Sequence, residues 1–436
     1  MRELFRQPDF ARLLAGRVVT TAGDALYAVA SMWLVQELTH STFYTGLAGT
    51  LAFLPYLLQL FVGPLVDRWP IRRTLTLTQG LQGALVLAVP LLALPGRPPL
   101  WAILGLIPLL ALAGQFGEPA EQAALPRILP PEHLVRANSL FTFAAQGTSL
   151  VFRALAGLLV AAVGAVPLYA LDALSFLGAA WIFTRLRVPP APRATAEAAG
   201  AGEESGSGAG GETPLRRYLA ELGEGLGLVA RSVAGRITLG AVALNFVIAA
   251  MMVVLPAHAA AHGGPNVYGA MLSAMAAGTI AGALLAPRLE RWRISTAIGL
   301  VSLAGGAAWL LAALGTLPPL LVGAFGLGWV PGGVVNALVG GGLQRIVPRQ
   351  LMGRVASAIT SLVSLAMPLG SFLGGLAGEA WGPTAVIAGT ALVQLLFGLY
   401  WQADPVLRRL PATRQLGEEH LFPRPPGSSA APAAGA

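Results

Sequence analysis

The chain has 436 residues, is 55% hydrophobic and only 11% charged, and has a mean hydropathy of +0.68. Soluble domains carry about 25% charged residues, so this composition excludes a soluble globular protein and points to one embedded in a bilayer. The net charge of +8 comes from arginine without any lysine, and the chain has no cysteine, which excludes disulfides, thiol catalysis and cysteine metal sites.

The N-terminal segment, residues 1–12, is charged and runs straight into a long apolar stretch without a small-residue cleavage site, so no removable signal peptide is expected. Twelve apolar stretches follow, at 14–36, 44–66, 74–95, 100–125, 138–163, 166–186, 236–261, 266–288, 295–315, 318–341, 355–377 and 383–403. As helices rising ~1.5 Å per residue, each is long enough to cross a hydrocarbon core ~30 Å thick. The expected fold is all-α and polytopic, with two six-helix bundles at 1–190 and 236–404, a linker at 191–235 and a disordered tail at 405–436. Residues 194–212 hold no large apolar side chain and read as a disordered tether. Within 214–234, Leu215, Leu219, Leu222, Leu226 and Val229 recur at helical spacing, as in an amphipathic helix lying on the membrane surface.

Most arginines fall in alternate loops: the N-terminus, 67–73, 127–136, 185–236, 288–293, 345–354 and the tail from Arg408. The opposite loops hold only Arg97. By the positive-inside rule both termini are cytoplasmic, in a multi-pass protein of the cell membrane. Arginines spread in this way set orientation rather than bind nucleic acid, which is excluded as a partner.

One short turn is far more polar than its surroundings: Gly63, Leu65, Asp67, Arg68, Trp69, Pro70, Arg72 and Arg73 between two apolar runs. Its charges place it at a membrane surface. Gly282 and Leu284 repeat Gly63 and Leu65 at an offset of 219, with Ala286 in the place of Asp67. Leu125, Arg127, Ile128, Pro130, Arg136 and Ser139 recur as Leu343, Arg345, Ile346, Pro348, Arg354 and Ser357 at an offset of 218. The chain therefore reads as two copies of one unit.

Ionisable groups at bilayer depth cost about 2.5–3.5 kcal/mol on insertion scales, so each calls for a partner or a wet cavity. Asp24 lies in the first span, Arg153 in the fifth and Asp172 in the sixth. Arg153 is expected to pair with Asp172 or Asp24, and Asp24 is the candidate proton acceptor. Gln115, Glu118 and Glu121 share one face of the fourth span at the depth of Arg17, so an Arg17–Glu121 clasp is expected. In the second half, Asn245 and Asn336 are the main central polar residues, and the tenth span is rich in glycine. His258 and His262 end the seventh span without nearby acids; no metal or other cofactor is expected. There is no nucleophile–base pair and no phosphate loop, so an enzyme is not expected.

Twelve spans in two halves, with a Gly-x-Leu-x-Asp-Arg turn after the second, resemble the major facilitator superfamily. The stretches Pro119-Ala120, Leu125-Pro126-Arg127, Ala137-Asn138-Ser139, Asp172-Ala173-Leu174-Ser175-Phe176 and Gly353-Arg354-Val355 resemble its macrolide-efflux and effector-export permeases. The resemblance implies alternating access about a midplane cavity and proton-driven efflux of amphipathic drug-like, macrolide-like or siderophore-like molecules. It also implies a conformational latch of Gly63, Asp67, Arg68, Arg72 and Arg73 against the helix that follows Arg354. Tyr27, Gln115, Asn245, Met251, Trp329 and Asn336 are the expected cavity residues. Phe152 and Arg153 stand where such exporters carry Gly-Pro. The partners expected are the lipid bilayer, a small-molecule substrate and protons, with the chain as a monomer. The competing readings are a facilitator or flippase for an anionic amphiphile such as a lysolipid, and a membrane sensor without transport.

Overall fold

The computed structural model describes residues 4, 6–55, 69–189, 223 and 226–422. The first half contains α1 (Pro8–Thr39), α2 (Thr42–Phe53), α3 (Ile71–Ala93), α4 (Leu100–Gly114), α5 (Gly117–Ile128), α6 (Pro131–Val163) and α7 (Val166–Thr184). The second contains α8 (Val233–Ala261), α9 (Pro265–Leu289), α10 (Ile294–Leu314), α11 (Pro318–Gly328), α12 (Val330–Ile346), α13 (Arg349–Trp381) and α14 (Pro383–Ala403). Among the described residues, eleven helical stretches are long and apolar enough to cross a membrane, with α4–α5 and α11–α12 each forming one stretch. The second expected span, 44–66, is described only as far as α2 and the two residues after it.

Local chemistry sets the helix limits. Proline opens α1, α6, α9, α11 and α14, where its missing N–H has no partner to lose. Gly164 (φ 83°) ends α6 and Gly382 (φ 84°) ends α13, a backbone conformation that other residues rarely adopt. The repeat seen in the sequence is also structural: α6 and α13 each have 33 residues, and Pro131–Val163 maps onto Arg349–Trp381 at the offset of 218. The fourth span of each half is interrupted, at Gln115 and Phe116 in one and at Trp329 in the other.

Within the first half α1 packs on α6 and α7, and α3 on α7; within the second α8 packs on α13 and α14, and α10 on α14. The halves meet where α2 crosses α13 and α6 crosses α9. Both crossings depend on glycine. A Cβ on Gly157 would fall 2.1 Å from the Cα of Gly269, and one on Gly46 would fall 2.6 Å from the Cα of Gly375. Gly157 and Gly375 are equivalent at the offset of 218, so one device is used twice. Close backbone approach through small residues is how membrane helices associate without a hydrophobic driving force. Hydrogen bonds cross the same seams: Ser273 Oγ to Ala154 O (3.3 Å), Thr42 Oγ1 to Gly375 O (3.0 Å) and Thr50 Oγ1 to Pro368 O (3.2 Å).

The tail corrects an expectation. Residues 405–422 are ordered, and only 423–436 of the expected disordered tail lie outside the described residues. Leu407, Leu410, Leu416 and Leu421 are buried in the core of the second half. Asp404 starts this strap by accepting hydrogen bonds from the backbone N–H groups of Val406 and Leu407, both at 2.9 Å, and it pairs with Arg236. Burial alone would raise the Asp404 carboxyl; the N–H groups of Leu407 and Val406 and the Arg236 guanidinium outweigh burial and hold it below its ordinary value. Further on, Ile294 N donates to Pro411 O, Arg414 pairs with Glu290 at 2.8 Å, Arg345 donates to Arg414 O, and Val233 N donates to Leu421 O. Of the expected amphipathic helix, Val229 is buried and Leu226 packs on the same core, while Leu215, Leu219 and Leu222 lie outside the described residues.

Candidate functional site

The first half holds a cavity of about 860 Å³ lined by α1, α2, α3, α4, α5, α6 and α7. That volume lies within the range of drug-sized ligand sites, about 300–1,000 Å³. Its wall is mixed. Tyr27, Phe141 and Phe176 supply aromatic surface, and Arg17, Asp24, Glu118, Glu121, Arg153 and Asp172 supply charge.

The expected Arg17–Glu121 clasp is present at 3.0 Å, with Glu118 3.6 Å from the same guanidinium. The Glu121 side chain is 3% exposed. Removing Arg17 alone would therefore strand a buried carboxylate, at a cost of about 3–5 kcal/mol. Depth along α1 and α5, readable from the sequence, was enough to bring these residues together.

The expected pairing of Arg153 with Asp172 or Asp24 does not form among the described residues. Arg153 Nε instead donates to Ser149 Oγ at 3.2 Å, one turn back on its own helix. Its charge and that of Arg17 still act on Asp24 from further away. Depth was read correctly, but rotation about the helix axis decides whether two side chains meet. Asp172 is fully buried, and Oδ1 accepts from Ser175 Oγ at 3.1 Å. Here α7 presses against α1: a Cβ on Gly23 would fall 2.2 Å from Asp172 Oδ1 and 1.9 Å from Ser175 Oγ.

Tyr27 and Gln115 line the cavity as expected, but its second wall does not come from α8, α11 and α12. Met251 is fully buried in the apolar core. Trp329 packs edge-on against Trp309 and Phe325. Asn245 donates to Ala241 O on its own helix at 2.8 Å, and Asn336 is exposed without lining the cavity. His258 is buried and its ring lies 4.4 Å from that of His262.

Of the expected latch, Gly63, Asp67 and Arg68 lie outside the described residues. Arg72 and Arg73 are exposed in the first turn of α3, beside Trp69, which stacks on Phe116. Arg354 is exposed near the start of α13. Sequence reasoning missed a contact at the opposite end of α13. Glu379 Oε2 accepts from Ser41 Oγ at 2.8 Å and from the backbone N–H of Phe43 at 3.4 Å, which places a carboxylate at the N-terminus of α2. The Ser41-Thr42 start of a helix was the available signal.

With this geometry in place, comparison with known proteins is decisive. The profile of the transmembrane secretion effector family matches residues 3–430. The chain belongs to that family. It is a transporter of the major facilitator superfamily, a polytopic membrane protein and not an enzyme. "Multidrug efflux pump Tap" of Mycobacterium tuberculosis is 30% identical over 442 residues, covering 98% of this chain and 100% of Tap. "Enterobactin exporter EntS" of Salmonella typhimurium is 31% identical over 192 residues, covering 43% of this chain and 46% of EntS. The fold matches a bacterial homologue of the lysosomal transporter Spinster in an inward-facing, occupied conformation, with a TM-score of 0.65 at 12% identity, covering 93% of this chain and 97% of that one. It also matches an inward-facing bacterial homologue of the iron transporter ferroportin, with a TM-score of 0.64 at 16% identity, covering 91% and 99%.

Proposed function

We propose that this protein exports amphipathic small molecules by alternating access, driven by inward proton flow. It acts as a monomer in the cell membrane with both termini in the cytoplasm. The arginine-rich loops support that orientation, which puts the α2–α13 and α6–α9 seams toward the outside. The cavity then stands on the cytoplasmic side of those seams, as in an inward-facing exporter awaiting cargo. Relatives named as a multidrug efflux pump and an enterobactin exporter support efflux as the direction.

The observation that carries the coupling is Asp24. It lies midway along α1, is exposed to the cavity, and has no ion pair among the described residues. A carboxylate so placed changes between wet and dry surroundings as the halves rock, and so can take up and release a proton. Arg17, Glu118 and Glu121 act as the inner gate. The cytoplasmic latch is assigned to Gly63, Asp67, Arg68, Arg72 and Arg73 with Arg354, and Glu379 on Ser41 is its outer counterpart. Proteoliposomes with an imposed pH gradient test the coupling: Asp24→Asn should abolish gradient-driven efflux while the protein still folds and binds substrate. Undiminished efflux in that variant removes Asp24 from the mechanism.

A further inference from the structure

Six charged side chains line the cavity, four acidic and two basic. Arg17 is already engaged by Glu121 and Glu118. Arg153 bonds Ser149 on its own helix. Asp24 and Asp172 form no ion pair among the described residues, and Arg17 and Arg153 act on Asp24 only from a distance. Asp172 is 0% exposed, and its Oδ2 is buried with no hydrogen-bond partner. An unmet carboxylate oxygen in such a place is costly, and the side chain cannot retreat because α7 is pressed against Gly23. Tyr27 lines the same cavity and is held edge-on by Tyr169 at 5.5 Å, whose hydroxyl donates to Ser31 Oγ at 3.0 Å. Two carboxylates and an aromatic ring around one space suit a positive charge of low hydration.

We infer that Asp172, with Asp24 and the ring of Tyr27, forms a subsite for the positive charge of an organic cation, so that the cargo is a cationic amphiphile. The inference rests on the export reading and narrows its substrate class. The cation supplies the counter-charge that the unpartnered Asp172 Oδ2 lacks. Its apolar remainder packs on Phe141 and Phe176.

Tetraphenylphosphonium and tetraphenylborate have nearly the same size and shape and opposite charge, so together they isolate the electrostatic preference. Equilibrium binding of each to the full-length chain in nanodiscs, corrected for empty discs, should favour the phosphonium by about tenfold or more. Asp172→Asn should weaken phosphonium binding by a similar factor, and Asp172→Glu should retain it. Equal binding of the two ions, no binding of either, or unchanged phosphonium binding in Asp172→Asn overturns the inference. Preference for the borate, lost in Arg153→Ala, overturns it in favour of an anionic amphiphile. The comparison on the unaltered chain decides the matter even where Asp172→Asn does not fold. Phosphonium binding without gradient-driven flux of any compound sinks the export reading and leaves the subsite standing.

Discussion

Substituting Gly157 by valine tests the seam between the halves. A Cβ at this position would lie 2.1 Å from Gly269 Cα, about 1.5 Å short of the ~3.5–4.0 Å at which carbon atoms rest. The atoms that this Cβ meets are all backbone atoms of Gly269, so α6 and α9 must part to admit the side chain. Overpacking of this kind costs about 1–3 kcal/mol, and under the proposed cycle it falls on the inward-facing state alone. The balance between states should move outward by about 5- to 150-fold. The absence of cysteine makes the readout clean, because Ser371→Cys becomes the sole thiol. Ser371 is 1% exposed, and its Oγ lies 3.2 Å from where a Cβ on Gly49 would stand, so it sits inside the other seam, between α2 and α13. Labelling of this thiol from outside by an impermeant maleimide should accelerate by a factor in that range when Gly157→Val is added, with Gly157→Ala intermediate. An unchanged labelling rate in a folded Gly157→Val protein would refute the reading that both seams close the outside in one and the same state.

The outer cap should act more gently than the seam. Glu379 is exposed, and a carboxylate at a helix N-terminus in such a place contributes about 0.3–1 kcal/mol, so Glu379→Gln should raise the same labelling rate by about two- to fivefold. No change would take Glu379 out of the closure. The strap has a pH signature. The Asp404 carboxyl is held below its unfolded value of about 3.9, so its contribution is complete above that value and is lost as pH falls through the lower folded value. Asp404→Asn should therefore lower the melting temperature at neutral pH, and the gap to the unaltered chain should close on acidification below about pH 4. A gap that stays constant down to pH 3 would show that charge at Asp404 is not what holds the strap.

The spans were legible because a bilayer demands runs of about twenty apolar residues and tolerates little else. The repeat was legible because Arg127, Pro130 and Arg136 around the start of α6 recur as Arg345, Pro348 and Arg354 around the start of α13, and the same offset later locates the helix ends. Of the cavity, sequence reasoning reached the Arg17–Glu121 clasp, Tyr27 and Gln115. It failed where helix rotation matters. Arg153 turned to its own helix, and Met251 and Trp329 turned into apolar packing. It failed again where composition was averaged over unlike segments. Prolines, alanines and glycines dominate 423–436, and their weight hid Leu407, Leu410, Leu416 and Leu421, which dock on the bundle.

The strap behaves like a cord drawn through four eyelets. It is tied to the starts of α8 and α10, to the last turn of α12 and, through Glu290, to the residue after α9. Four helix ends tied to one strap resist splaying singly. For anyone handling the protein the knot marks a boundary. Reporters and purification tags belong beyond Phe422, and a chain trimmed at Ala403 loses its fastening before it loses any membrane crossing.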